Sequence, residues 1–194
     1  MKLNECRLGL AVTGSFCTIP SLIKQIDDIV KNVKSVTPII SENVAKTDTR
    51  FGTAAEFITT LEENTGQTVI STIPQAEPIG PQKLFDVLAI APCTGNTLSK
   101  LACGITDTTV TMAAKAHMRN NRPLVIAIST NDALGMSARN LGVLMNAKNV
   151  YFVPFYQDMP FDKENSLISD LALLLDVVEK ALVGEQLQPL VTVK

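Results

Sequence analysis

Three short segments concentrate the residue types that can grip a small anionic ligand. The first is Thr13-Gly14-Ser15-Phe16-Cys17-Thr18. Gly14 permits a tight turn, and the Ser15 and Thr18 hydroxyls fall beside the free N–H groups of a following helix, a combination that suits a phosphate. The same residues also serve as an ordinary strand-to-helix turn with a Ser or Thr cap. The segment is neither GxGxxG nor a Walker A loop, so neither NAD nor ATP is specifically indicated. The second is Ala91 to Lys100, APCTGNTLSK, where Gly95 allows close backbone approach to a ligand. Thr94, Asn96 and Thr97 together exceed what a single helix cap requires. The third is Ser129-Thr130-Asn131-Asp132, in which Asn131 either bonds a ligand or turns the chain.

The remaining reactive residues offer less. His117 is the only histidine and falls near the end of a helix remote from these segments, so a packing or surface role is expected and no Ser/His/Asp set can be assembled. Cys6, Cys17, Cys93 and Cys103 show no CxxC spacing, which predicts reduced thiols and no metal site. Cys17 and Cys93 lie within the ligand-gripping segments, and small buried packing residues are the expectation for both.

Elements that would position the segments alternate in type along the chain. Arg7–Thr13, Ser35–Ile40, Thr68–Ile73, Leu84–Ala91, Pro123–Ser129 and Val150–Pro154 read as strands. Helices are expected from Ile19 to Val30, Thr53 to Glu63, Asn96 to Ala102, Thr108 to Asn120, Ser137 to Asn146 and Lys163 to Val183. Pro20 sits in a first helical turn, where its missing N–H costs nothing. Pro38 weakens the second strand, and the Pro-rich PQAEPIGPQ stretch predicts an exposed loop. Strand–helix alternation to the end predicts a flavodoxin-like, doubly wound parallel sheet of about six strands with helices on both faces. In such a sheet ligands bind at the carboxyl ends of the strands, where all three segments fall.

Bulk properties set limits on partners. The 194 residues suit a single domain, expected to run over 1–194, and 46% hydrophobic against 19% charged residues allows a substantial core. A net charge of -2 gives no electrostatic case for nucleic acid or an anionic membrane. A mean hydropathy of +0.21 is compatible with apolar surface hidden in an oligomer. No signal peptide and no bilayer-spanning run are visible, so a cytoplasmic location is expected.

The block Ala91 to Ala114, APCTGNTLSKLACGITDTTVTMAA, resembles the APxSANTLAKIAxGxADNLLTRA signature of the homo-oligomeric flavin-containing cysteine decarboxylase (flavoprotein) family. Gly14-Ser15 matches the same family, and Ser41 falls where its second-strand loop supplies a hydroxyl. The resemblance implies FMN in a flavodoxin-like domain, held at a trimer interface. It assigns contacts to the FMN phosphate and ribityl chain to Gly14, Ser15, Ser41, Thr94, Asn96 and Thr97. Asn131 aligns with the asparagine of the family's PxMNxxM motif, here Ile128-Ser129-Thr130-Asn131-Asp132-Ala133-Leu134 without the proline or the methionines. The decarboxylase histidine before the fourth strand is replaced by Pro78-Ile79-Gly80-Pro81, which argues against cysteine decarboxylation. LGLAVTGSFCTI, TDTRFG and TIPQAEPIGPQKLFDVLAIAPCTGNT are similar to a branch of the family lacking the decarboxylase residues. That branch acts with a separate A subunit resembling an NAD(P)-dependent dehydrogenase, in the mother cell of sporulating bacteria, on a cyclic dicarboxylate. Arg50 and Lys100 are then the cations expected to meet the substrate. A non-catalytic partner that keeps the fold and stabilises the A subunit is the rival expectation, and an independent FMN-dependent decarboxylase is a third.

Overall fold

A computed structural model describes residues 1–193. In chain order the elements are β1 (Arg7–Val12), α1 (Ile19–Asn32), β2 (Ser35–Ile40), α2 (Glu42–Lys46), α3 (Ala54–Thr65), α4 (Ile73–Ala76), β3 (Val87–Cys93), α5 (Gly95–Ala102), α6 (Thr109–Met118), β4 (Leu124–Thr130), α7 (Ala138–Met145), β5 (Val150–Phe152), β6 (Phe155–Tyr156), β7 (Leu167–Ser169) and α8 (Leu174–Leu182). Strands β2, β1, β3, β4 and β5 pair in parallel in that order. The flavodoxin-like doubly wound sheet therefore forms as the alternation predicts. Among the described residues no helix is long and apolar enough to cross a membrane.

Every residue of β3 is buried, because helices cover both faces of the sheet. On one face Leu8, Leu10 and Val12 of β1 meet Leu22 and Ile26 of α1, with Leu61 of α3 and Val177 of α8. On the other face Ala11, Leu88 and Ile90 meet Leu98 of α5, Val110 of α6 and Leu141 of α7. Gly9 is required on that second face. A Cβ there would lie 2.6 Å from Phe85 Cδ2 and 2.8 Å from Leu88 Cδ1. Pro38 is accommodated in β2, which lies at the sheet edge, and its carbonyl accepts from Ile70 N at 2.9 Å.

Three expectations differ. The PQAEPIGPQ stretch is not an exposed loop: it carries most of α4 and a 3-10 turn over Glu77–Ile79, with Ala76 and Ile79 buried. Thr68–Ile73 does not form a strand: only Ile70 bridges to Ile39, and the chain turns into α4 at Ile73. The turn is enforced by Gln75 Oε1, which accepts from the backbone N–H groups of Ser71 and Thr72 at 3.0 and 3.2 Å, and by Pro74 in the first helical turn. The helix expected over Lys163 to Val183 is shortened to α8, and the residues before it form β7. Ser169 Oγ fixes that strand by accepting from Ile128 N at 2.8 Å and donating to Val153 O at 3.0 Å.

As a result β4 has a divided edge. Its first half pairs in parallel with β5, while Ser129 and Thr130 pair antiparallel with Ile168 and Leu167 of β7. The β6–β7 ribbon carries a loop, residues 157–166, toward the carboxyl ends of the sheet. Leu134 N donates to Asn165 O at 3.0 Å, tying that loop to the turn after β4.

Candidate functional site

The chain leaves β1 and β3 in opposite directions across the sheet, so a crevice opens between their carboxyl ends. Thr13, buried directly after β1, holds the two segments there together. Its Oγ1 donates to Pro92 O at 2.7 Å and accepts from Thr94 N at 3.0 Å. A triangle of hydroxyls then joins the β1 loop to β4. Ser129 Oγ lies 2.7 Å from both Ser15 Oγ and Thr18 Oγ1, which are 3.1 Å apart.

Helix α5 begins with a cap of the kind its sequence suggests. Thr94 Oγ1 accepts from Thr97 N at 3.3 Å and donates to Thr97 Oγ1 at 3.1 Å. Beside this cap lies a small crevice of about 180 Å³, lined by Gly14, Ser41, Glu42, Thr94, Asn96, Thr97 and Lys100 among others. Two buried oxygens at this crevice have no partner among the described residues: Ser41 Oγ and Glu42 Oε2. Glu42 Oε1, by contrast, accepts from both N and Oγ1 of Thr109 at 2.8 Å. Buried polar groups are nearly always satisfied, so these oxygens mark a place where a hydrogen-bonding ligand or water belongs. Lys100 Nζ is paired with Asp107 Oδ1 at 2.7 Å.

A larger crevice of about 720 Å³ shares Gly14 and Thr94 with the small one. Ser15, Ser129, Asn131 and Asp132 lie along it, and Arg50, Asp158 and Lys163 bring charge to it. Arg50 sits at the tip of a tight turn closed by Thr49 N to Gly52 O at 3.0 Å and Gly52 N to Thr49 O at 3.2 Å. Gly52 has φ of 144°, where a side chain is strained, so the turn is written for glycine. The Arg50 guanidinium stacks 4.8 Å from the centre of the Phe51 ring.

The expected site residues thus divide between adjoining crevices. Gly14, Ser15, Thr94, Asn131 and Arg50 line the large one; Gly14, Ser41, Thr94, Asn96, Thr97 and Lys100 line the small one. Lys100 therefore does not sit beside Arg50. Ser129 and Asp132 belong to the third segment, in which Asn131 alone is singled out. Sequence inspection missed Lys163, and nothing local to Lys163 signals its place. Cys17 departs from the packing role expected of it, being exposed at the large crevice. Cys93 is buried, and burial pushes its thiol up. His117 is also buried, with Nε2 2.9 Å from Pro123 O, and burial pushes it down to about 4.

A parallel sheet with hydroxyl-lined crevices at its switch point defines the class: the chain belongs to the Flavoprotein family, which matches residues 1–182. Within it the chain is 49% identical over 189 residues to the B subunit of dipicolinate synthase from Bacillus subtilis (strain 168), covering 97% of this chain and 94% of that protein. The crystal structure of the B subunit of dipicolinate synthase from Bacillus halodurans C superposes with a TM-score of 0.90 at 42% identity, over 100% of both chains. The FMN-dependent cysteine decarboxylase SpaF shares the fold, with a TM-score of 0.64 at 23% identity over 93% of this chain and 97% of that one.

Proposed function

We propose that this chain is the B subunit of a dipicolinate synthase, acting with an NAD(P)-dependent A subunit to convert hydroxytetrahydrodipicolinate to dipicolinate in the mother cell of a sporulating bacterium. The observation that carries this reading is the pair of adjoining crevices sharing Gly14 and Thr94. One is lined with hydroxyls and amides; the other is wide and bears cations.

Ser41, Asn96, Thr97 and Lys100 offer donors to the phosphate end of FMN, while Glu42 Oε2, without a partner among the described residues, opposes it in the same crevice. Ser41 Oγ, buried and unpartnered among the described residues, offers a donor beside Asn96 and Thr97 at the start of α5, where the Thr97 N–H is already held by the Thr94 cap. Gly14, Ser15 and Thr94 would border the ribityl chain, and Asn131 would approach the ring from the end of β4. Bound flavin supplies a two-electron acceptor at the crevice. The overall conversion removes one water and two hydrogens, and the chain's own residues bind and orient the dicarboxylate beside that acceptor. Arg50, whose guanidinium meets the Phe51 ring, is the cation for one carboxylate. A trimer-based assembly would close the crevices.

A second reading makes the chain a non-catalytic partner that stabilises the A subunit. It draws on the segment where decarboxylases keep their histidine. Here Gly80 packs against α6, a Cβ on it lying 2.8 Å from Ala116 O, and the segment Pro78-Ile79-Gly80-Pro81 itself carries no histidine.

The test is an absorbance spectrum of the purified chain after incubation with FMN and desalting, joined to product formation by the reconstituted pair. A retained flavin double band, with dipicolinate made only when both subunits are present, is expected. A colourless protein, with the A subunit alone making dipicolinate, overturns the proposal in favour of the second reading.

A further inference from the structure

The charges along the large crevice are mixed in sign, and their commitments differ. Asp158 is already engaged: Oδ1 accepts from Ser166 Oγ at 2.6 Å and Oδ2 pairs with Lys163 Nζ at 3.2 Å. Lys163 keeps donors free beyond that one contact. Arg50 has no carboxylate partner among the described residues, only the Phe51 ring. Asp132 has no cation among them either. Its carboxylate is held by two hydroxyls, Thr130 Oγ1 at 2.5 Å on Oδ1 and Ser137 Oγ at 3.0 Å on Oδ2.

The place of Asp132 is built into the neighbouring helix start. A Cβ on Gly95 would lie 2.7 Å from both Asp132 Oδ1 and Thr130 Oγ1. Only glycine at that position lets the carboxylate stand where it does. A simple dianion entering this crevice would gain Arg50 and Lys163 but face Asp132; a simple cation would meet the reverse.

We infer that the large crevice takes its ligand as a zwitterion, a small ring bearing two carboxylates and a protonated nitrogen, with Arg50 and Lys163 toward the carboxylates and Asp132 toward the nitrogen. This deepens the proposed function and rests on it for the dicarboxylate. It also gives product release a cause. A saturated ring nitrogen carries a proton at neutral pH, and an imine nitrogen, titrating nearer neutrality, is drawn to its protonated form beside a carboxylate, whereas the pyridine nitrogen of an aromatic dicarboxylate stays unprotonated. Aromatisation therefore removes the group that Asp132 holds.

The experiment compares piperidine-2,6-dicarboxylate with pyridine-2,6-dicarboxylate by calorimetric titration into the full chain loaded with FMN. The saturated ring is expected to bind about tenfold more tightly, the scale of one charge-assisted hydrogen bond. Asp132→Asn should bring the two ligands within about twofold of each other, and Gly95→Ala, which keeps the carboxylate but displaces it, should do the same. Arg50→Ala and Lys163→Ala should weaken both ligands about equally, leaving the preference intact. Equal binding, a preference for the aromatic ring, no binding of either ligand, or an unchanged preference in both Asp132→Asn and Gly95→Ala overturns the inference. Its failure is distinguishable from that of the proposed function, because the titration needs no A subunit and no turnover, and a chain that takes up no FMN is titrated flavin-free with the same outcomes expected. An Asp132-dependent preference without dipicolinate formation by the reconstituted pair would sink only the assigned reaction.

Discussion

The backbone N–H of Thr94 donates to Thr13 Oγ1 at 3.0 Å, so one hydroxyl after β1 sets the start of α5. Thr13→Val keeps the shape and removes both the donor to Pro92 O and the acceptor for Thr94 N. Pro92 O keeps the Thr13 N–H at 3.3 Å, so the expected loss of about 1–3 kcal/mol in unfolding free energy comes from the stranded Thr94 N–H. Urea denaturation measures it, and FMN retention should fall in parallel. A variant as stable as the parent would show that the two segments are held by packing alone.

Ser41→Ala should act in opposite directions on stability and on the cofactor. In the free protein it deletes a buried hydroxyl without a partner among the described residues, so stability should hold or rise slightly. FMN affinity should fall by about tenfold, as when one hydrogen bond to a phosphate is lost. Equal flavin binding by variant and parent would take Ser41 out of the cofactor's contacts.

His117 gives the protein a pH dependence of known sign. Its folded value of about 4 lies below the ordinary 6.5, so between these values the unfolded chain binds the extra proton. Stability from this group is complete above the ordinary value and is lost as the pH falls toward the folded one, amounting to about 3 kcal/mol across the window. His117→Gln retains a donor toward Pro123 O and does not titrate there. Its urea midpoint should therefore change less than the parent's between pH 7 and pH 5. Parallel pH profiles for the two proteins would remove His117 as the source.

Gly9→Ala tests how tightly the sheet is packed against Phe85. The added methyl meets the ring and Leu88 well inside contact distance. A destabilisation of about 1–3 kcal/mol is expected from overpacking, without effect on FMN affinity relative to folded protein. Thermal unfolding near the parent's midpoint would mean that the Phe85 ring moves aside freely.

Much of the frame is legible in the sequence because buried parallel strands are nearly continuous apolar runs. LGLAV and LVIAI are of that kind, and Ile19, Leu22, Ile23, Ile26 and Val30 mark one face of α1 by their spacing, although Ile29 is buried where Ile23 and Val30 are only partly so. The site segments are legible for another reason: small polar residues exceed what capping needs at Thr94, Asn96 and Thr97. The β6–β7 ribbon is not legible. Its strands are two and three residues long, too short for any period to register. Leu167-Ile168 also runs into the apolar stretch of α8 and so imitates its first turn. What makes it a strand is Ser169 reaching Ile128 and Val153, contacts that local pattern cannot reveal. Lys163, carried by the loop of that ribbon, is hidden with it. Thr68–Ile73 fails differently, since its β-branched residues favour a strand until the Gln75 cap and Pro74 divert the chain.

The divided edge of β4 has a consequence for the order of biosynthesis. While the chain is still emerging from the ribosome, β1 to β4 can pair once the segment ending at Thr130 is free, but Lys163 and β7 follow more than thirty positions later. A nascent chain of that length has the hydroxyl-rich crevice without its far wall. Ligand capture in the large crevice can therefore act only on the finished molecule, by mass action, and cannot guide early folding. A small dicarboxylate added during synthesis would protect completed chains from proteolysis and leave shorter ones as vulnerable as before.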